Sequence, residues 1–112
     1  MRTVDFTRPC PTSSDPERRA ALTRHLNARL LDLDPGGPEV LLCDPDSGLI
    51  HFCLPDLSPH RAAAALSTKY QIHTIPTFDH IELYLNESIP FEDLDHVWGC
   101  LLQLLAEKEE FL

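Results

Sequence analysis

The sequence predicts an α+β domain in which an antiparallel four-stranded sheet carries helices on one face, in the order α-β-β-α-β-β-α. Three observations support this two-layer architecture. Apolar residues recur roughly every three to four positions near both ends of the chain, short apolar or alternating runs lie between them, and Pro, Gly and Asp cluster at the junctions. Strands and helices this short favour an antiparallel sheet covered by helices. The length of 112 residues fits one domain.

Residues 1–14 predict an extended arm, because they are rich in Pro, Ser and Thr, and residues 15–112 form the domain. The first helix begins where Asp15 can cap its N-terminus and Pro16 occupies the first helical position. The Pro- and Gly-rich residues 34–38 end this helix. Its apolar stripe consists of leucines spaced by roughly three or four positions, namely Leu22, Leu26, Leu30 and Leu33.

Two short strands at residues 39–43 and 49–54 come next, and they predict an antiparallel hairpin. The residues between them, DPDSG, have the backbone preferences of a turn. In the second strand, alternate apolar residues share one face, which places His51 and Cys53 on the other. The hairpin could also bring Cys43 opposite Cys53.

The second half of the chain predicts a helix, two strands and a long final helix. Ser58 followed by Pro59 starts an Ala-rich helix of about ten residues. Residues 70–75 and 80–85 predict the third and fourth strands, joined by the loop 76–79. The C-terminal helix has the strongest helical periodicity in the chain, with apolar positions at Phe91, Leu94, Val97, Trp98, Leu101, Leu102 and Leu105.

Composition and charge limit the classes of function. The net charge of −9 argues against nucleic acid and against anionic membranes as partners, because both reward clustered Lys and Arg. No apolar run is long enough for a transmembrane helix and the N-terminus lacks a secretion signal, so we expect a cytoplasmic protein. The four cysteines form neither a C-x-x-C pair nor a zinc-finger spacing, which predicts reduced thiols and no disulfide framework.

Several strings of the sequence, in order, resemble the C-terminal small domain of fold-type I pyridoxal-phosphate enzymes. They are LTRHLNARL (residues 22–30), SGLIHF (47–52) with the LSPH and Ala-rich helix after it, KYQIH (69–73), and the strand and acidic helix start at 81–95. The nearest group is the class V aminotransferases, which include cysteine desulfurases, selenocysteine lyases and isopenicillin-N-epimerase-like proteins. The resemblance covers roughly residues 16–108 and implies the fold predicted above.

The resemblance also gives a meaning to Glu82. The family carries at this position an arginine whose guanidinium binds the α-carboxylate of the substrate in a bidentate pair. A carboxylate at Glu82 would repel that group, so the implied substrate contact is lost. The alternative interpretation is that the alignment is shifted, or that Glu82 is an ordinary surface residue of a strand.

The residues that hold the cofactor in this family belong to its large domain, where a lysine forms a Schiff base with pyridoxal phosphate. The lysines of this chain are Lys69 and Lys108, at a helix–strand junction and near the C-terminus, and no Gly-rich phosphate loop is present. Loop 76–79 stands where the desulfurases carry their cysteine. We therefore expect no bound cofactor, no catalytic residues and no enzymatic activity of this chain by itself.

The leading hypothesis is a stand-alone, non-catalytic domain that acts by protein association, with a protein partner or as a homodimer. A small domain of this kind would expose apolar residues of the sheet that need a partner. The candidates are Leu49, Ile75 and Phe78, with Phe111 and Leu112 at the C-terminus. The first alternative is a fragment or split subunit of a pyridoxal-phosphate aminotransferase or lyase.

The second alternative is a small metal-binding module. His51 and Cys53 share one strand face, and His73 or Glu82 could join them from neighbouring strands. Imidazole and thiolate ligands of this kind suit zinc. Their spacing matches no known motif, so the sequence favours the association hypothesis over this one.

Overall fold

A computed structural model describes residues 3–8, 15–33 and 37–107 of the protein. In this part of the chain, three helices and six strands alternate in the order β-α-β-β-α-β-β-β-α. The elements are β1 Val4–Asp5, α1 Pro16–Leu31, β2 Glu39–Asp44, β3 Leu49–Cys53, α2 Pro59–Tyr70, β4 Ile72–His73, β5 Ile75–Pro76, β6 Ile81–Tyr84 and α3 Phe91–Glu107. Among the described residues, no helix is both long and apolar enough to cross a membrane.

The main sheet confirms the predicted fold class. It is antiparallel and four-stranded, with the strand order β2-β3-β6-β5, and the helices pack on it. The side chains that face the helices are almost completely buried, namely Ile50, Phe52, Ile81 and Leu83. Side chains of a strand alternate between the two faces, so the residues between them form a second face without a covering layer among the described residues.

The predicted helix starts are confirmed by their capping contacts. At α1, the carboxylate of Asp15 accepts hydrogen bonds from the backbone N–H groups of Glu17 and Arg18, both at 3.1 Å. At α2, the Ser58 hydroxyl accepts one from the N–H of Arg61 at 3.3 Å. The predicted leucine stripe of α1 packs into the core, where Leu22, Leu26 and Leu30 are fully buried, and Leu33 lies just beyond the helix.

The predicted third strand, residues 70–75, is wrong as a single continuous element. Helix α2 extends through Tyr70, and Gln71 then adopts a left-handed backbone with φ 59° and ψ 37°. This turn redirects the chain, so that two short strands replace one. Strand β4 pairs with β1 in parallel, whereas β5 pairs with β6 in the main sheet.

The first residues of the predicted extended arm belong to the folded core. Val4 and Phe6 are buried, at 2% and 0% exposure. The N–H of Phe6 donates to the carbonyl of His73 at 2.9 Å, and its own carbonyl accepts from the N–H of Tyr84 at 2.9 Å. This segment therefore joins β4 to the end of β6, while residues 9–14 of the arm lie outside the described residues.

The hairpin of β2 and β3 forms as predicted, but its register separates the two cysteines. Cys43 lies opposite Ile50, and Cys53 lies opposite Glu39. The two strands pair over their full length from the turn outward. In this register, Cys43 and Cys53 do not face each other. Cys43, Cys53 and Cys100 are all free, and burial raises the pKa of each thiol.

Candidate functional site

The candidate site lies on the uncovered face of the main sheet, which we call the open face. This face consists of alternate strand residues and of the side chains that the turn between β5 and β6 adds to it. The strand residues are Glu39, Leu42, Asp44, Leu49, His51, Cys53, Ile75, Glu82 and Tyr84, and the turn contributes Asp79 and His80. In the register of the sheet, one row crosses all four strands from Leu42 through His51 and Glu82 to Ile75.

Three side chains at the centre of the open face form what we call the histidine–glutamate cluster: His51, His80 and Glu82. His51 on β3 lies directly opposite Glu82 on β6, and their Nε2 and Oε1 atoms are 3.5 Å apart. The Nε2 atom of His80 lies 3.2 Å from the same Oε1 atom. The two imidazole rings stack, with centroids 4.2 Å apart and planes inclined by 22°. One carboxylate oxygen therefore faces two imidazole nitrogens.

The turn before β6 positions His80. The Thr77 hydroxyl accepts a hydrogen bond from the backbone N–H of His80 at 3.1 Å, and the N–H of Thr77 donates to the carbonyl of His80 at 2.7 Å. On the imidazole itself, Nδ1 lies 2.6 Å from the carboxylate of Asp79. These contacts direct Nδ1 toward Asp79 and leave Nε2 facing Glu82, which fixes the orientation of the ring.

Charge within the cluster is shared between the acids and the imidazoles. The hydrogen bond with His80 lowers the pKa of Asp79 below its ordinary value of 3.8. Burial opposes protonation of His80, but the hydrogen bonds with Asp79 and Glu82 outweigh it and raise its pKa above the ordinary 6.5. When His80 is protonated, its ring lies between the carboxylates of Asp79 and Glu82, so each of these two acids has an imidazole beside it.

The structure brings together only part of the residue set that the sequence analysis proposed for a metal. His51 and Glu82 belong to the histidine–glutamate cluster. Cys53 shares the open face but lies outside the cluster. Its thiol is instead 3.8 Å from the carboxylate of Glu39. His73 lies on β4 in the other sheet, where its Nδ1 atom is 3.2 Å from the hydroxyl of Ser67.

His80 is the member of the cluster that the sequence analysis missed. A signal for it exists in the sequence, because His80 and Glu82 are two positions apart and therefore point to the same side of an extended chain. The direct pairing of Glu82 with His51 cannot be predicted from sequence spacing, because it depends on the register between β3 and β6.

Apolar and acidic side chains both flank the cluster on the open face. Leu42 is exposed at 42%, and Phe78, in the turn between β5 and β6, is exposed at 89%, which agrees with its predicted exposure. Leu49 and Ile75, which we also expected to be exposed, are half-buried in the sheet. Glu39 and Asp44 lie opposite Cys53 and Leu49, so the margins of the open face are partly apolar and partly acidic.

Comparisons with known proteins assign no family to this chain. No family model matches the chain, and no curated protein matches it. The resemblance to the class V small domain accordingly stays a prediction from the sequence.

Proposed function

We propose that this chain is a non-catalytic domain that acts by protein association, and that its partner is a second copy of itself bound through the open face. The observation that carries the proposal is an uncovered sheet face with an exposed leucine, Leu42, beside a turn that exposes Phe78. Burial of such a face against a partner lowers the free energy, because it removes apolar surface from water. With this function we place the protein in the cytoplasm.

The centre of the open face supports the burial of this surface. Burying a lone carboxylate is costly, whereas a carboxylate with hydrogen-bonding cationic partners is tolerated. Glu82 already has two imidazoles beside it, and His80 also has Asp79. Closing the face against a partner would leave none of these charges alone.

The same groups favour a second copy over an unrelated partner. In a two-fold symmetric dimer, the same face of each copy forms the interface. A face that binds a second copy must therefore be complementary to itself. The open face carries imidazoles and carboxylates together, so the imidazoles of one copy can lie near the carboxylates of the other. This arrangement also offsets the repulsion that a net charge of −9 creates between two copies.

The non-catalytic part of the proposal rests on Glu82. In the class V small domain, which we propose as the relative of this chain, the arginine fork binds a substrate carboxylate. Here the side chain at that position is an acid engaged by His51 and His80. A carboxylate in this setting cannot form the bidentate pair, so it supports association rather than amino-acid chemistry.

Sedimentation velocity over a range of about 1 to 200 µM protein tests the dimer directly. We expect the wild-type chain to sediment as a dimer, and Leu42→Lys to weaken dimerisation by at least about tenfold, because it places a charge at the apolar margin of the face. The matched control is Leu102→Lys on α3, where a leucine of similar exposure (38%) lies away from the sheet face. Its dimerisation should be unchanged.

Two outcomes contradict the proposal. A wild-type chain that stays monomeric at the highest concentration has no self-association to explain. Equal weakening by Leu42→Lys and Leu102→Lys would show that dimerisation responds to charge in general and does not use the open face.

A further inference from the structure

The histidine–glutamate cluster brings together atoms that can bind a metal ion, a property that protein association does not require. His51, His80 and Glu82 each offer one ligand atom, and the three atoms lie within 4.8 Å of one another. His51 comes from β3, whereas His80 and Glu82 lie two positions apart around the start of β6, so the fold brings two segments together. Side chains of these types are the ones that bind zinc and related metals in proteins.

The distances fit the coordination geometry of such a metal. With Zn–N and Zn–O bonds of about 2.0–2.1 Å, two ligand atoms of a tetrahedral site lie about 3.3–3.4 Å apart. The Oε1 atom of Glu82 lies 3.2 Å from Nε2 of His80 and 3.5 Å from Nε2 of His51. Both ligand pairs are thus already at the separation that a shared ion would impose.

Asp79 supplies a feature that is common around metal-bound histidines. A histidine ligand usually donates its second ring N–H to a carboxylate or carbonyl, which orients the ring and makes the ligating nitrogen more basic. The Nδ1 atom of His80 lies 2.6 Å from the carboxylate of Asp79, while Nε2 faces the cluster. Asp79 therefore holds His80 in the orientation that a metal needs.

The stack of the two imidazoles defines the movement that binding requires. Rings inclined by only 22° keep their nitrogen lone pairs in two nearly parallel planes, so one ring must turn before both nitrogens can reach the same ion. His80 is held by Asp79 and Thr77, whereas the contacts described for His51 are the stack and Glu82. The side chains of His51, His80 and Glu82 are 22%, 18% and 23% exposed, which leaves them open to an ion from solvent.

We propose that His51, His80 and Glu82 form a binding site for a divalent transition-metal ion of the zinc type, with Asp79 as the residue that positions His80. His51 turns out of the stack to complete the site, and any proton on Nε2 of His80 leaves to solvent when the ion binds. Cys53 is not a ligand, and the site requires neither a second copy of the chain nor any other protein.

Calorimetric titration of the metal-free protein with Zn²⁺ tests this site, under reducing conditions and with far-UV circular dichroism as a check on folding. We expect one Zn²⁺ per chain. His51→Gln, His80→Gln and Glu82→Gln should each weaken binding by more than about 100-fold, since loss of an outer partner alone already costs about 10- to 100-fold. Mg²⁺ should not compete, because it prefers sites made only of oxygen ligands.

Two matched controls separate this site from other zinc-binding groups. His60→Gln removes an exposed histidine of α2 and should leave the affinity unchanged. Cys53→Ser should also leave it unchanged, whereas loss of binding in Cys53→Ser with retention in His80→Gln would overturn the proposal in favour of a thiolate site. A wild-type protein that binds no Zn²⁺, or cluster variants that bind it as well as wild type, would overturn it too.

Imidazole NMR signals of the wild-type protein provide a measurement that does not depend on any variant. Zn²⁺ should shift the ring resonances of His51 and His80 and leave those of His60 and His73 in place. Shifts confined to other histidines contradict the assignment. The readout is independent of sedimentation, so a failed dimer and a failed metal site are distinguishable.

The role of Asp79 has its own test. Asp79→Ala should lower the Zn²⁺ affinity by about 10- to 100-fold, because Nδ1 of His80 loses its carboxylate acceptor and keeps only the Thr77 hydroxyl. Asp79→Asn keeps a carbonyl acceptor and should restore most of the affinity. Equal affinity of Asp79→Ala and wild type would show that Asp79 does not position the ligand.

Discussion

At the scale of single residues, Asp95 shows how one exposed carboxylate links two helices. It lies on α3 and faces α1, where the Nε2 atom of His25 is 2.9 Å away and Nε of Arg29 donates at 3.2 Å. The hydrogen bond from His25 is the largest influence on this acid and, together with the charge of Arg29, lowers the pKa of Asp95 below its ordinary value of 3.8. Exposed pairs of this kind contribute modestly to stability.

Asp95→Asn should lower the melting temperature slightly at neutral pH, and the difference from wild type should vanish in acid. A carboxylate whose pKa is depressed by folding stabilises the folded state above its unfolded pKa of 3.8, and this contribution is lost as the pH falls through the folded pKa. Melting curves of both proteins at pH values from about 7 down to about 2 measure the difference.

The difference at neutral pH should also shrink in high salt, which screens exposed charges. A difference of the same size at both ends of the pH range would instead show that the substitution acts through packing and not through the charge.

At the scale of secondary-structure elements, Gln71 decides the path of the chain after α2. Its backbone is left-handed, with φ 59°, and its N–H donates to the carbonyl of Leu66 to close the helix. The left-handed residue that follows a helix is usually Gly. Nothing in the sequence of residues 70–75 identifies Gln71 as such a residue. For this reason, the sequence predicts β4 and β5 as one continuous strand.

Gln71→Gly is expected to raise the free energy of unfolding by about 0.5–1 kcal/mol. Removing Cβ relieves a left-handed conformation that costs about 1–2 kcal/mol, and the added freedom of Gly in the unfolded chain returns part of that gain. Urea denaturation measures the change. Gln71→Ala keeps Cβ and should gain little, so equal effects of Ala and Gly would contradict the role of the backbone.

At the scale of the whole molecule, the N-terminal strand holds the two sheets together. Phe6 is fully buried, and its backbone bonds to His73 of β4 and to Tyr84 of β6. The parallel pairing of β1 with β4 joins the start of the chain to the segment after α2, which is far from it in sequence. The first residues should therefore unfold together with the core.

Phe6→Ala should destabilise the protein by about 3–5 kcal/mol, the usual cost of deleting a buried aromatic ring. The control is Leu31→Ala at the end of α1, since Leu31 is 52% exposed and its truncation should change stability by less than about 0.5 kcal/mol. Urea denaturation of both variants gives the comparison. A small effect of Phe6→Ala would mean that the N-terminal strand is not part of the cooperative fold.

The sequence by itself determined the fold class, the starts of α1 and α2 and the inner face of β3. These features depend on capping residues such as Asp15 and Ser58 and on apolar periodicity over neighbouring positions, and local physics acts on both.

Only the tertiary structure decided the pairing of β1 with β4, the register that separates Cys43 from Cys53, and the meeting of His51, His80 and Glu82. These contacts join segments that are distant in the chain. Backbone hydrogen bonds permit many pairings of equal local quality, so the choice among them belongs to the packing of the whole core.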